Sequence, residues 1–238
     1  MGLFDAFKGS GGGLKKHVAR VANKRAQKHE RWESIQALAN EGSDEAVRAL
    51  MTRFSIRVDP SITDDEEKTA AFHGIVQHGE AALGPVRDFL WSSDSLAWPL
   101  KILTELQSEE DVVTTLLELL STMDTEYERD PQKKIDVMAG FEERKDPRIV
   151  EAVSRFLEDM NETVRYYTVG AILAQDDAET ALAALTQAFL GEESVRVRMR
   201  MLDGYIERDW SMGDAKDAAS KRLPTGYSLG KRGEVRKR

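Results

Sequence analysis

The sequence predicts an all-α protein, a right-handed α-solenoid of about five to six helix pairs. Five segments share apolar residues at i, i+3 and i+7: Val47/Leu50/Phe54, Leu83/Val86/Leu90, Val113/Leu116/Leu120, Val150/Val153/Leu157 and Leu182/Leu185/Phe189. That spacing lines three side chains along one face of a helix. The first members of these segments are 36, 30, 37 and 32 residues apart. Each interval has room for one further helix and two turns, a unit that buries its apolar faces only against its neighbours. No segment holds as a strand. Val195 to Met201 alternates, yet Val195, Met199, Leu202 and Ile206 share one face when wound as a helix.

Taken in order, residues 1–13 read as a flexible segment ending in the linker Ser10-Gly11-Gly12-Gly13, since glycine loses most backbone entropy on ordering. The solenoid spans 14–212. Leu14 to Asn40 forms one helix or two, with Val18, Val21, Trp32, Ile35 and Leu38 as its apolar positions. Helices between and after the five aligned segments are expected at Asp64–Gln77, Leu96–Leu106, Pro131–Arg144, Glu162–Ala174 and Ser194–Arg208. Thr63 with Glu66, Ser108 with Asp111, Asp130-Pro131 and Asp146-Pro147 are their starting signals. Gly74, Gly140, Gly170 and Gly204 recur in the second half of four of these helices, where a missing side chain admits a close neighbour, and Pro99 should bend its helix. Residues 213–238 hold five glycine or proline breaks and little apolar content, which predicts a basic, disordered tail beyond about Leu223.

With 41% hydrophobic and 32% charged residues, the 238-residue chain can bury a sizeable core. Cysteine is absent, which excludes disulfides, thiolate metal sites and a cysteine nucleophile, and agrees with a cytoplasmic setting. No apolar run suits a signal peptide or a membrane span. The start, Met1-Gly2-Leu3-Phe4-Asp5-Ala6, departs from a myristoylation signal at Ala6, where a hydroxyl residue is required. The net charge of -8 is uneven: residues 1–32 carry +6, residues 213–238 carry +5, and the body between carries -19. An acidic body with basic ends offers different partners different places to bind.

Chemistry-bearing residues are sparse. Of the four histidines, His73 and His78 point about 140° apart on a helix, and His17 and His29 stand alone, so no metal site is expected. Trp91 and Trp98 flank Asp94 as in HEAT-like DNA glycosylases, but an acidic body opposes duplex binding, and capping by Asp94 or Ser95 between packed tryptophans explains the run. Arg165 and Arg196 occupy equivalent repeat positions and should pair with acids of adjacent repeats, with Asp146, Asp176 and Asp177 as partners. No phosphate loop, nucleophile elbow or zinc signature occurs, so no catalytic residue or cofactor is assigned and enzymatic activity has no support. On the aligned segments, Arg48, Gly84, Thr114, Glu151 and Ala183, with Thr52, Asp88, Glu118, Arg155 and Gln187, face away from the core.

The run Asn161-Glu162-Thr163-Val164-Arg165, the run Glu193-Ser194-Val195-Arg196 and the segment Asp146-Pro147-Arg148-Ile149-Val150 with Phe156-Leu157-Glu158-Asp159 resemble the short HEAT repeats of phycobilisome lyases. The resemblance covers about residues 44–209. It implies that the second helix of each pair lines a concave groove, whose floor would include Arg48, Thr52, Asp88, Thr114, Glu118, Glu151, Arg155 and Gln187. It also brings in a lyase-like modifying protein as one alternative. The reading favoured by charge is a scaffold or adaptor whose acidic groove takes a basic or extended segment of another protein. The other alternative is binding of nucleic acid or an anionic membrane through Lys15, Lys16, Arg20, Lys24, Arg25, Lys231, Arg232, Arg236, Lys237 and Arg238, with Leu3, Phe4 and Phe7 assisting at a lipid surface. The tail is expected to fold back transiently onto the acidic groove.

Overall fold

A computed structural model describes residues 10–238, which form thirteen α-helices and one two-stranded sheet. The fold class is all-α, as the spacing predicts. No helix among the described residues is long and apolar enough to cross a membrane. The chain divides into two compact units, Met1–Ser108 and Glu109–Arg238, with the boundary between the second and third aligned segments.

The first unit contains α1 (Ser10–Val21), α2 (Lys28–Glu41), α3 (Asp44–Thr52), α4 (Ser61–Val76), α5 (Leu83–Ser92) and α6 (Ala97–Leu106). Helices α2, α4 and α6 pack in one row and α1, α3 and α5 in a second, with α3 against both α2 and α4. The aligned positions Val47, Leu50, Val86 and Leu90 are buried between the rows. Residues 10–13, expected to be a linker, belong to α1, and the candidate lipidation and lipid-contact residues before them lie outside the described residues. Ser43 caps α3 by accepting the Ala46 N–H, while Thr63 is buried inside α4 rather than capping it, because α4 starts earlier, at Ser61. Pro99 is the third residue of α6. At that position a helix leaves the N–H unpaired anyway, so the expected bend has no cause. A Cβ on Gly74 would stand 2.6 Å from the Ala39 Cβ; the glycine lets α4 approach α2.

The second unit contains α7 (Glu109–Ser121), α8 (Gln132–Glu142), α9 (Ile149–Val153) running into a 3-10 segment over Ser154–Glu158, α10 (Glu162–Ala174), α11 (Leu182–Gly191), α12 (Val195–Glu207) and α13 (Lys216–Ser220). Here α8, α10 and α12 form one row, and α7, α9 with its 3-10 extension, and α11 form the other. Asn161 caps α10 through the Thr163 and Val164 N–H groups, and Ser194 caps α12 through that of Val197. Val113, Leu116, Leu120, Val150, Val153, Leu157, Leu185 and Phe189 are all buried, which places the aligned register as predicted.

The C-terminal segment departs from expectation. After α13, strands β1 (Tyr227–Leu229) and β2 (Val235–Lys237) pair antiparallel, with Tyr227 opposite Lys237 and Leu229 opposite Val235. Gly233 has φ +87, and a Cβ there would meet the Gly213 nitrogen at 3.1 Å, so the turn needs glycine. Met212, Ala219, Tyr227 and Val235 are buried, α13 packs on α11 and β2 on α12. These few apolar residues cannot build a core of their own. They complete one whose other wall, α11 and α12, already exists.

Candidate functional site

The exposed side of the α7, α9 and α11 row is the site that the sequence points to in the second unit. Its apolar residues face inward, so the residues between them must face out. Glu118, Glu151, Arg155 and Gln187 are exposed and Thr114 is partly so. Six carboxylates stand exposed on this row: Glu109, Glu110, Asp111, Glu118, Glu151 and Glu158. Its cation Arg155 is occupied. Its Nη2 donates to the Leu120 and Met123 carbonyls at 3.0 and 2.8 Å, satisfying acceptors that the end of α7 leaves open, and its guanidinium lies 4.6 Å from the Phe156 ring centre. Thr114 accepts from Arg148 Nη1 at 3.1 Å.

Two hollows open between the 3-10 segment and α11, with Glu158, Leu157, Gln187 and Ala188 common to both. One of about 370 Å³ adds Asp124 and Ala184; the other, of about 400 Å³, adds Glu192 and Glu193. Arg165 closes the second by a bidentate pair with Glu192, at 2.7 and 2.8 Å, and donates to the Asp159 carbonyl. Burial pushes the Glu192 carboxyl up, but the Arg165 and Ser194 hydrogen bonds outweigh it and hold the group below the usual carboxylate range. The hollows therefore present carboxylates beside two arginines that are already engaged, Arg155 by the Leu120 and Met123 carbonyls and Arg165 by Glu192.

In the first unit the expected groove residues Arg48 and Asp88 face one another at 2.6 Å across α3 and α5, and Thr52 donates to the Ala49 carbonyl. Beneath them lies an arrangement that the sequence reading missed. Glu67 is fully buried and accepts from Arg31 and Arg53; Arg53 also donates to Asp64, which accepts from Lys68 and the Val58 N–H. Burial again pushes the Asp64 carboxyl up, and its Lys68, Arg53 and Val58 partners bring it below the ordinary range. Each of these charges is engaged, which describes an interlock of α2, α4 and the 3-10 turn Arg53–Ser55 that follows α3. The one cue in the sequence was Arg53 among apolar neighbours at the end of an aligned segment.

Other candidates resolve as structure. Arg165 and Arg196 do pair across repeats, but with Glu192 and Glu162, while Asp146 pairs with Arg148 and Asp176 with Lys145. The nearer acids on adjoining helix starts win. Trp98 stacks on Phe54 at 5.0 Å. His17 bonds Ser34, His78 donates to the Ala39 carbonyl, and no group among the described residues could hold a metal. Of the cations proposed for anion binding, Arg20 pairs with Glu30 and Lys237 with Asp203, whereas Lys15, Lys16, Lys24, Arg25, Lys231, Arg232, Arg236 and Arg238 are exposed without an ion pair among the described residues. A groove of about 600 Å³ on the other row, which the sequence did not suggest, is lined by Glu142, Tyr166, Arg196, Met199, Arg200 and Asp203. There Arg196 and Arg200 lie 3.7 and 4.0 Å from the Tyr166 ring centre, and Arg200 also pairs with Glu142. Comparison with family models, curated proteins and solved structures found no match to this chain.

Proposed function

We propose that the protein is a non-enzymatic interaction scaffold, an α-solenoid of the HEAT kind, whose acidic second-helix face takes a basic, extended segment of another protein. The observation that carries this reading is the charge of the α7, α9 and α11 row, where six exposed carboxylates stand beside Arg155, held by main-chain carbonyls, and Arg148 at the start of α9, paired with Asp146. Neighbouring hollows lined by Glu158 and Glu193 give lysine and arginine side chains somewhere to enter. Charge complementarity of this sort steers encounter and selects partners. The two-row packing in each unit and the HEAT-like runs support the solenoid.

The test is titration with a short fluorescent peptide rich in lysine and arginine, comparing the native protein with a Glu118→Lys, Glu151→Lys, Glu158→Lys variant. All three positions are exposed, so the fold should persist. The reading expects affinity to fall about tenfold or more, since three contacts each worth roughly 0.2–1 kcal/mol are reversed in sign. Equal affinity for both proteins would refute it.

A further inference from the structure

The C-terminal hairpin, folded where a loose tail was expected, presents a cationic surface unrelated to the acidic face. Alternation along β1 and β2 puts Tyr227, Leu229, Val235 and Lys237 on one side, where Tyr227 and Val235 are buried and Lys237 meets Asp203 at 2.9 Å. Arg236 and Arg238 then point to the other side, joined by Lys231 and Arg232 from the turn, and all four are exposed. The only carboxylate of the hairpin is Glu234, held below its usual range mainly by main-chain hydrogen bonding, with the Arg236 and Arg232 charges adding to it. We propose that this outer face binds the phosphate backbone of duplex nucleic acid without reading sequence.

The composition of the face selects this partner. It offers three guanidinium groups and one ammonium against the single Glu234 carboxylate that the same alternation places among them, and arginine matches phosphate oxygens two at a time. Its one aromatic ring, that of Tyr227, is on the buried side, so unpaired bases would find nothing to stack upon. No large apolar side chain projects outward to enter a lipid bilayer or anchor a protein hot spot. The acidic remainder of the chain does not forbid contact, because charges farther than about 8–10 Å are largely screened at ordinary salt. Docking of Tyr227 on Asp203 at 2.6 Å fixes the hairpin against α12, so the four cations are displayed together.

The experiment is fluorescence anisotropy of a labelled DNA duplex over a series of salt concentrations, with the full chain. Four phosphate contacts predict a slope of log affinity against log salt of about -3.6, a loss of roughly 150-fold between about 50 and 200 mM. An Arg232→Gln, Arg236→Gln, Arg238→Gln variant should bring the slope to about -0.9, whereas Lys15→Gln with Lys16→Gln should leave it as it was. Circular dichroism and the melting midpoint establish that each variant is folded. The proposal is overturned by a native chain that does not bind duplex, by a slope that survives the arginine substitutions, or by preference for single strands or anionic phosphatidylserine vesicles over duplex. The acidic-face reading stands or falls separately, since its peptide assay does not involve these residues.

Discussion

Glu67 illustrates how much charge a helical interior holds when each group has a partner. Arg31 and Arg53 both donate to it in full burial, so neutralising the carboxylate leaves two guanidinium groups without their main acceptor. Glu67→Gln should cost about 3–5 kcal/mol of unfolding free energy in urea titrations, although it preserves shape. The same residue scale sets two pH limits. Asp64 and Glu192 titrate below the ordinary carboxylate range, so their contribution is present above that range and is lost as pH falls through their lowered values. Tyr227 behaves oppositely. Burial, then its hydrogen bond to Asp203 and that group's charge, push its hydroxyl from 10.0 up to about 12. Its stabilisation is whole below pH 10 and disappears as pH rises through about 12. Melting midpoints across that alkaline window should decline in the native protein and decline less in Tyr227→Phe.

At the scale of elements, the register of α7 gives a paired prediction. Leu116 is fully buried and Glu118 is exposed two residues on. Leu116→Asp should unfold the protein or lower its stability by more than about 4 kcal/mol, while Glu118→Lys should leave the melting midpoint nearly unchanged. Gly204→Ala should cost about 1–3 kcal/mol in the same assay, because the added methyl would overlap the Leu173 side chain between α10 and α12. These elements were legible because amphipathic spacing and capping residues act within a few positions of one another. The first helices fell within about three residues of their expected bounds. Partner choice was not legible in the same way: Arg165 meets Glu192, 27 residues on, rather than the acids Asp176 and Asp177 that lie nearer in sequence, since helix crossing and side-chain reach decide between them. Thr63 misled for a related reason, as an earlier helix start turned a capping residue into a buried one. The outward positions of the candidate face were readable, but the hollows beside α11 depend on packing that no local pattern encodes.

For the molecule as a whole, the tail folds because its few apolar residues are buried against the helical body rather than against one another. Tyr227 and Val235 gain burial against α12 and α13, and side chains of that kind contribute on the order of 1.5–3 kcal/mol each when fully buried. Removing residues 213–238 should therefore lower the melting midpoint and promote association, seen by light scattering, through the apolar surface laid bare. Removal of the hairpin alone, residues 225–238, should not unmask the acidic face, because β2 rests on α12 in the opposite row. The two-row packing within each unit also bears on time. Its helices touch neighbours that are near in sequence, and the longest-range side-chain hydrogen bond described, between Arg200 and Glu142, spans 58 residues. Such low contact order keeps loop-closure entropy small, so the main refolding phase of each unit after a stopped-flow urea dilution should fall in the millisecond range or faster.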